Sequence, residues 1–343
     1  MRILLIGGTR FIGPAVARQL HEQGHTVAIF HRGQTRAQLP QGVAEILGER
    51  SQLANYRADF VRFAPAVIID MFPFVEQDAI SVMSTFKGIA QRVVALSSGD
   101  VYRAYARVIG TEPGPADPVP LSEDAPLRER LYPYRGERLR SQDDPTRWMD
   151  DYDKILIERV VMSDADSPGT ILRLPVVYGP GDNQHRCFTY LKRMDDQRPA
   201  ILLNESLAQW RWTRSYVENV AAAIVLAAID ERARGRIYNV GEADTVTIAE
   251  WVRQIGAVAG WHGHIIAVPD ERLPEHLSLR VGANQHILVD TTRIRSELGY
   301  SEPVPLDAAL ERTVAWERAN PPQEVDAQQF DYATEDAVLA SMG

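Results

Sequence analysis

The chain has 343 residues, of which 45% are hydrophobic and 24% are charged, and its formal net charge is −9. Length and composition predict a folded protein with a large core and two lobes of unequal size. The acidic balance, with no cluster of basic residues, argues against a general nucleic-acid or membrane-surface binder. The only cysteine, Cys187, excludes an internal disulfide and a cysteine-based metal site. We therefore expect a cytoplasmic protein with no membrane segment and no metal.

The chain opens with MRILLIGGTRFIG, whose apolar residues 2–6 are typical of a buried parallel strand. The run breaks at Gly7 and Gly8, and Gly13 lies at the start of an amphipathic segment. A strand, a glycine turn and a helix in this order place a pyrophosphate on a helix N-terminus. Arg10 stands where glycines at every third residue would put the middle one. The context favours dinucleotide binding over an ordinary strand-turn-helix without a ligand.

A second strand is predicted over residues 26–30, and its carboxyl end is where a dinucleotide fold meets the adenosine ribose. An acidic residue there would accept a hydrogen bond from the ribose 2′-hydroxyl, but this chain has His31 and Arg32, with Arg36 close behind. A guanidinium suits a phosphate dianion, and Arg10 could approach the same phosphate. This favours NADP over NAD as the cofactor. The alternative is that Arg32 stacks on adenine or faces solvent.

Further strands and helices alternate along the first half of the chain. Strands are predicted over residues 43–47, 66–71, 92–96 and 169–174, and helices over 51–63, 76–86 and 150–162. The alternation predicts an α/β fold with a doubly wound parallel Rossmann sheet, formed by a dinucleotide-binding domain over residues 1–178. A smaller mixed α/β substrate lobe is expected over 179–320, some of its segments returning to the first domain, followed by a C-terminal tail over 321–343.

Two predicted strands end in residues suited to a ligand site, because the carboxyl ends of the strands face the crevice of such a sheet. Phe72 follows one strand and would form an apolar wall beside the nicotinamide, or simply pack in a loop. Ser97 and Ser98 follow another, where hydroxyls serve either catalysis or capping. The next segment, 103–149, is long and shows no clear periodicity, which indicates a functional excursion or lid.

These motifs together resemble the extended short-chain dehydrogenase/reductase family, the sugar-nucleotide epimerases and dehydratases. The resemblance rests on GGTRFIG (7–13), SSGDVY (97–102), LRLPVVYGPGD (172–182), SYVENVAAAI (215–224), YNVGE (238–242) and DTTRIRSELGY (290–300). GGTR, with HRG after the second strand, is most similar to an atypical branch that includes the chloroplast stem-loop-binding proteins. The resemblance implies hydride transfer between NAD(P) and a sugar nucleotide or related hydroxylated small molecule, and a homodimer formed through helices 76–86 and 150–162.

The resemblance also implies roles for individual residues. In the family a Tyr four residues before a Lys acts as the acid/base, the Lys lowers the Tyr pKa and holds the nicotinamide ribose, and a Ser or Thr binds the same substrate oxygen. Ser98 and Lys154 match the Ser and the Lys, and Asp100 matches an acidic residue of the dehydratases. The expected cofactor contacts are Gly7, Thr9, Arg10, Phe11, Ile12, Gly13, Arg32, Phe72, Ser97, Lys154 and Pro175.

The catalytic Tyr does not match, because Asp150 stands four residues before Lys154 and Tyr152 only two. Residues two apart on a regular helix diverge by about 200°. In one alternative, Tyr152 lies in a non-helical first turn, capped by Asp150 or Asp151, and still reaches the substrate. In the second, Asp150 is the acid/base, its pKa raised by burial although Lys154 would lower it. In the third, the site binds cofactor without the redox step.

The substrate lobe also departs from the family pattern. Members that hold a nucleoside diphosphate often carry an Arg where this chain has Trp212, and either Arg211 or Arg214 could replace it by a shift of register. Packing between the lobes is the simpler interpretation of Trp210 and Trp212.

Two other functions are consistent with parts of the sequence. One is a non-catalytic dinucleotide-binding regulator or scaffold, which would have no acid/base group within reach of the cofactor. The other, an RNA-binding protein, is the least favoured because of the net charge of −9. It would require one face of the folded chain to gather Arg135, Arg138, Arg140 and Arg147.

Overall fold

The computed structural model describes residues 1–35, 37–164, 168–278 and 282–342. The strands within these ranges are β1 (Arg2–Ile6), β2 (Thr26–His31), β3 (Ala44–Leu47), β4 (Val67–Asp70), β5 (Arg92–Ser98), β6 (Thr170–Leu174), β7 (Val176–Tyr178), β8 (Ala200–Asn204), β9 (Arg214–Tyr216), β10 (Ile237–Asn239) and β11 (His264–Val268). Most lie where the sequence pattern predicts a strand. The short strands β7 and β9 were not anticipated.

The α-helices of the described residues are α1 (Ile12–Glu22), α2 (Arg57–Phe63), α3 (Glu76–Phe86), α4 (Arg103–Val108), α5 (Lys154–Met162), α6 (Phe188–Asp195), α7 (Glu205–Gln209), α8 (Val217–Ile229), α9 (Ile248–Ala259), α10 (Thr292–Leu298), α11 (Leu306–Ala319) and α12 (Tyr332–Ala340). Two differences from the expected pattern affect the site. Helix α4 lies inside the excursion expected to lack periodicity, and α5 begins at Lys154 instead of residue 150.

The central sheet has seven parallel strands in the order β10-β6-β5-β4-β1-β2-β3. The chain builds outward from β1 in one direction and then, beginning with β4, in the other. This confirms the doubly wound Rossmann sheet. The order reverses between β1 and β4, and in such sheets the ligand crevice lies outside the carboxyl ends of the strands at this point.

The apolar run of β1 is explained by burial on both faces of the sheet. Ile3 and Leu5 belong to a core cluster that includes residues of α1 and α8, while Leu4 and Ile6 belong to a second cluster with residues of α2 and α3. A strand covered by helices on both sides has no solvent-facing position, so polar residues do not alternate with apolar ones.

Segments beyond residue 178 take part in both lobes. Strand β10 pairs with β6 at the edge of the central sheet, and α8 packs against α1. The remaining strands form two small parallel pairs, β7 with β9 and β8 with β11. The small pairs and helices α6, α7, α9 and α11 form the smaller lobe beside the carboxyl ends of the central strands. No helix of the described residues is both long and apolar enough to span a bilayer.

The C-terminal tail is held to the smaller lobe by a buried ion pair. Glu335 on α12 lies 2.6 Å from Arg193 on α6, and the two side chains are 1% and 2% exposed. His276 also lies 3.1 Å from Glu335. Helix α12 of the tail therefore packs on the smaller lobe through a buried ion pair.

We predict that Glu335→Ala releases α12 from the lobe. Removal of one partner of a buried ion pair leaves the other charge desolvated, at a cost of about 3–5 kcal/mol. The measurement is limited proteolysis of the tail combined with thermal unfolding. The matched control is Asp336→Ala, because Asp336 is 56% exposed and pairs with Arg198 at the surface, a contact worth about 0–1 kcal/mol. Equal behaviour of the two variants would contradict the prediction.

Candidate functional site

The glycine turn after β1 is shaped by a close approach of α1. A Cβ added to Gly13 would lie 2.1 Å from the carbonyl oxygen of Gly8, so the helix reaches the turn only without a side chain there. Gly7 has φ +79° and donates its N–H to the carbonyl of Phe30 at 2.9 Å. Phe11 precedes the helix with φ 48°. The N-terminus of α1 therefore faces the turn, an arrangement that suits an anion.

Other expected cofactor residues surround this turn. A Cβ on Gly7 would lie 3.3 Å from the Phe72 ring, which places that ring over the turn at the end of β4. Thr9 is half-buried, while the side chain of Ile12 belongs to the hydrophobic core. At Ile12, therefore, the backbone rather than the side chain is available to a ligand. The narrow cradle made by the glycines fits a dinucleotide pyrophosphate.

At the end of β2, both ring nitrogens of His31 are hydrogen-bonded within the protein. Its Nδ1 accepts the N–H of Gly33 at 3.1 Å, so Nε2 carries the proton and donates to Glu45 at 2.7 Å. Arg32 is exposed and, within the described part of the chain, has no carboxylate partner. Arg10 donates to the Thr35 hydroxyl at 3.1 Å, which connects the glycine turn to the loop after β2. Arg36 lies outside the described residues.

The start of α5 decides how Tyr152 and Lys154 are related. Asp153 caps the helix by accepting the N–H of Ile155 at 2.9 Å, so neither Asp150 nor Asp151 is the cap. Tyr152 lies before the helix, where it forms an isolated antiparallel bridge to Val75.

Side chains two apart in extended chain point to the same side. The Lys154 Nζ lies 5.6 Å from the centre of the Tyr152 ring. The divergence expected for a regular helix therefore does not occur.

Ser98, Asp100 and Tyr152 meet at the carboxyl end of β5. The Tyr152 phenol donates to Asp100 Oδ2 at 2.7 Å. Ser98 Oγ in turn accepts the N–H of Asp100 at 3.2 Å. Burial raises the pKa of the Asp100 carboxyl. Burial and the charge of Asp100 raise the pKa of Tyr152.

The Lys154 ammonium lies beneath this group and is itself buried. It donates to the carbonyl oxygens of Pro73 and Leu96, the latter at 3.1 Å. Burial lowers the pKa of Lys154 to about 8. An ammonium has three N–H donors, so one remains for a ligand or water.

The side chain of Ser97 is bound within the core, so a cofactor contact at this position would involve its backbone. Its hydroxyl donates to Glu158 at 2.6 Å, and Glu158 pairs with Arg173 at 2.7 Å in the core. Successive residues of a strand face opposite sides. Ser98 therefore meets the cavity while Ser97 is turned away from it.

The carboxylate of Asp150 is likewise bound by other residues of the protein and is not available to the site. Its carboxylate accepts the N–H of Arg140 at 2.7 Å and pairs with the guanidinium groups of Arg140 and Arg147. Burial favours a raised pKa for Asp150, but the hydrogen bonds and charge of Arg140 outweigh it and lower that pKa. This geometry argues against Asp150 as the acid/base. Arg135 pairs with Asp151 at 2.9 Å, so three of the four arginines considered for a basic face (Arg135, Arg140 and Arg147) are bound to carboxylates.

A cavity of about 460 Å³ opens beside Ser98 and Asp100, between the central sheet and the smaller lobe. Pro175 is also part of its lining. The aromatic residues that line it are Tyr105, Tyr134, Tyr178, Tyr190, Trp212 and Trp251. The sequence interpretation assigned none of these six side chains to a ligand site, and it assigned Trp212 to packing. Only the noted resemblance of 172–182 to a family motif pointed toward Tyr178.

Arg214 is the charged side chain of this cavity that lacks a counter-ion. Its guanidinium lies 4.9 Å over the Trp251 ring and, among the described residues, no carboxylate lies within ion-pair distance of it. Glu242, which interacts electrostatically with Arg214, is bound to the Tyr178 hydroxyl at 2.9 Å, and burial raises the pKa of Glu242 to about 7. Arg186, also in the lining, is paired with Asp182 at 2.5 Å. Arg214 is therefore the cation available to an anionic ligand.

The chain is similar to known proteins over most of its length. Residues 77–241 match the model of the NAD dependent epimerase/dehydratase family. A UDP-N-acetyl-alpha-D-glucosaminuronate decarboxylase of Bacillus cytotoxicus is 25% identical over 335 residues, which cover 92% of this chain and 98% of that protein. A 2′-dehydrokanamycin reductase of Streptomyces kanamyceticus is 25% identical over 302 residues, 85% of this chain and 75% of the relative.

A solved structure shares the fold. The dTDP-glucose 4,6-dehydratase of Bacillus anthracis, in complex with NAD, superposes with a TM-score of 0.67 at 16% identity and covers 94% of this chain and 98% of its own. Together with the motifs and the sheet order described above, these matches show that the chain is similar to the NAD dependent epimerase/dehydratase family over residues 77–241 and shares the fold of a solved dehydratase.

Proposed function

We propose that this protein is an NAD(P)-dependent oxidoreductase of the epimerase/dehydratase type that acts on a hydroxylated small molecule. The observation that supports this most strongly is the convergence of Ser98, Asp100 and Tyr152 beside the buried Lys154. A purely structural role would not require a hydroxyl, a carboxyl, a phenol and an ammonium around the same end of one strand. We infer that the substrate hydroxyl binds here.

The glycine turn and its surroundings would hold the cofactor. The first N–H groups of α1 would bind the pyrophosphate, Gly7 and Gly13 allow the close approach, and Phe72 would cover the turn. Arg10 and Arg32 carry the only charges we assign to the 2′-phosphate, which favours NADP over NAD. When bound, a nicotinamide dinucleotide supplies a hydride donor or acceptor.

In this proposal, Ser98, Tyr152 and Lys154 each have a distinct role. The Ser98 hydroxyl orients the substrate oxygen, and Tyr152 exchanges a proton with it. The free N–H of Lys154 would hold a ribose hydroxyl, as the family resemblance implies, while its two carbonyl contacts fix its position. Tyr152 thus replaces the Tyr that the family carries four residues before the Lys.

The substrate class is inferred from the cavity. Aromatic rings suit the apolar faces of a sugar or a base, and the Arg214 guanidinium suits a phosphate or carboxylate. The relatives' names include UDP- and dTDP-sugars, which supports a sugar nucleotide as the expected substrate. The alternative of a regulator without turnover predicts no acid/base group within reach of the cofactor, and the hydrogen bond of Tyr152 to Asp100, which lines the cavity, supports an enzyme instead. A homodimer through α3 and α5 and a cytoplasmic location stay predictions.

Cofactor preference provides the first test. Arg32→Asp should weaken NADPH binding by about tenfold or more while it spares or improves NADH binding, because a carboxylate repels a 2′-phosphate and accepts from a ribose hydroxyl. Fluorescence titration with both coenzymes measures the change. The control is Arg234→Asp, an equal charge change at another exposed site. An unchanged preference in Arg32→Asp would show that Arg32 does not read the 2′-phosphate.

The identity of the acid/base group provides the second test. Tyr152→Phe removes the proton-transferring hydroxyl and should lower kcat by about a hundredfold or more. Asp150→Asn should lower the thermal stability, because Arg140 and Arg147 lose the buried carboxylate with which they pair, but should largely retain kcat. Both variants are assayed against a panel of sugar nucleotides and related polyols. A loss of kcat in Asp150→Asn with Tyr152→Phe still active would reverse the assignment.

The charge of Arg214 provides the third test. Arg214→Met should raise KM for an anionic substrate by about tenfold or more, since a charge-assisted contact is lost. Arg214→Lys should retain part of the affinity. The control is Arg211→Met, because Arg211 is exposed and lies outside the cavity lining. An unchanged KM in Arg214→Met would mean that the substrate presents no anion to this cavity.

A further inference from the structure

The Tyr152 phenol already donates a hydrogen bond to a neighbouring carboxylate. Its single proton is donated to Asp100 Oδ2 at 2.7 Å, in a position where both groups are less than a tenth exposed. A phenol in that state cannot be the resting base, because the anion beside it opposes ionisation. The group able to receive a proton in this cluster is therefore the carboxylate, not the phenol.

We propose that Asp100 is the terminal proton acceptor of the site and that Tyr152 relays the proton to it. This inference rests on the proposed function, since it concerns the proton of the hydroxyl that the site would bind. The remaining carboxyl oxygen, Asp100 Oδ1, is buried without a hydrogen-bond partner among the described residues, and Asp100 forms part of the cavity lining. A buried oxygen with no partner is costly unless a ligand completes the site.

The proton movement balances within the cluster. As the substrate O–H bond breaks, a new O–H bond forms on Tyr152, and the original phenol O–H bond breaks as its proton passes to Asp100 Oδ2. Tyr152 ends as it began, Asp100 changes from carboxylate to neutral acid, and the substrate oxygen keeps the electron pair of its former O–H bond. The reverse movement returns the proton to a carbonyl substrate during reduction. No other group need change its protonation state.

Tyr134, in the excursion formed by residues 103–149, positions Asp100 as the proton acceptor. The Tyr134 hydroxyl donates to Asp100 Oδ2 at 3.1 Å, so its oxygen accepts from Tyr105, whose hydroxyl lies 3.1 Å away. The direction of donation thus runs from Tyr105 through Tyr134 to Asp100. Tyr134 is a positioning residue, because it stabilises the carboxylate form of Asp100 and fixes Oδ2 toward Tyr152.

Every element packed around Asp100 contributes a group that affects its charge. Lys154 on α5 and Arg128 from the excursion carry positive charge, and Arg128 donates to the Asp100 carbonyl at 2.5 Å. The three phenols come from α4, from the excursion and from the segment before α5. The carboxylate is therefore supported as an anion by two cations and two O–H donors, although burial opposes its charge.

The decisive variant is Asp100→Asn, which keeps an oxygen to accept from Tyr152 but cannot take up a proton. We expect kcat to fall by about a hundredfold or more with dinucleotide affinity unchanged, and the acid limb of the pH–rate profile for alcohol oxidation to disappear. If Asp100 merely neighbours a phenolate base, its loss would make Tyr152 more acidic. Activity would then be retained or raised and the profile moved to lower pH, which would overturn the proposal. Asp143→Asn, at an exposed position of the excursion, is the matched control.

Tyr134→Phe tests the positioning role. Removal of one donor from the carboxylate raises the pKa of Asp100, so the acid limb of the profile should move to higher pH while KM stays nearly constant. Tyr105→Phe should produce a smaller shift in the same direction, because Tyr105 reaches Asp100 only through Tyr134. A fall in kcat at all pH values without a shift of the limb would indicate a merely structural role and would overturn the assignment of Tyr134.

A measurement without cofactor or substrate separates this proposal from the proposed function. Ultraviolet absorbance of tyrosinate is followed against pH in the free protein. In Asp100→Asn one tyrosine should ionise at lower pH than in the native chain, and this early titration should be absent from Asp100→Asn/Tyr152→Phe. Failure of the native protein to bind either coenzyme would refute the proposed function but leave this result intact. An identical tyrosine titration in the native and Asp100→Asn proteins would refute the coupling of Tyr152 to Asp100.

Discussion

The buried carboxylate of Asp153 is the contact on which the geometry of the site depends. One oxygen accepts the N–H of Ile155 and so begins helix α5 at Lys154, and the same oxygen pairs with Arg128 at 3.2 Å. The other oxygen accepts the N–H of Tyr132 at 2.6 Å. A single side chain thus fixes where the helix starts and where the excursion lies. A regular helix that included Tyr152 would turn its side chain away from Lys154.

The two charged groups of the site, Lys154 and Asp100, are held by different kinds of partner. Lys154 is held by the backbone carbonyls of Pro73 and Leu96, while Asp100, in the cavity lining, is held by the phenols of Tyr152 and Tyr134. Burial lowers the pKa of the amine and raises that of the carboxyl. Groups whose pKa values move toward neutrality can exchange protons near neutral pH, which is the requirement for acid/base work.

The excursion between β5 and α5 is a structural part of the site rather than a loose lid. Asp150 and Asp151 hold it through Arg140, Arg147 and Arg135. These ion pairs neutralise three of the four arginines considered for a basic surface. They also fix the segment that carries Tyr134 over Asp100. Asp150 and Asp151 therefore stabilise the segment beside the site but do not line its cavity.

The sequence by itself determined the order of strands and helices, the glycine turn and the region of the candidate site. Residues 2–6 and the glycines after them allow few other structures, because a run buried on both faces and a close backbone approach are local requirements. Ser98, Asp100 and Lys154 were identified by motif, and Tyr152 remained as one of three alternatives. What the chain could not reveal was the choice among Asp150, Asp151 and Asp153 as the helix cap.

Only the tertiary structure decided that choice, because Arg128 and the Tyr132 N–H lie beside Asp153 while Arg140 and Arg147 lie beside Asp150. The same holds for the cavity, whose aromatic residues and Arg214 come from segments far apart in the chain. Local periodicity records which side of an element is buried. It does not show which charged residues from distant parts of the chain lie in contact. Those contacts determined which carboxylate caps α5 and which one faces the cavity.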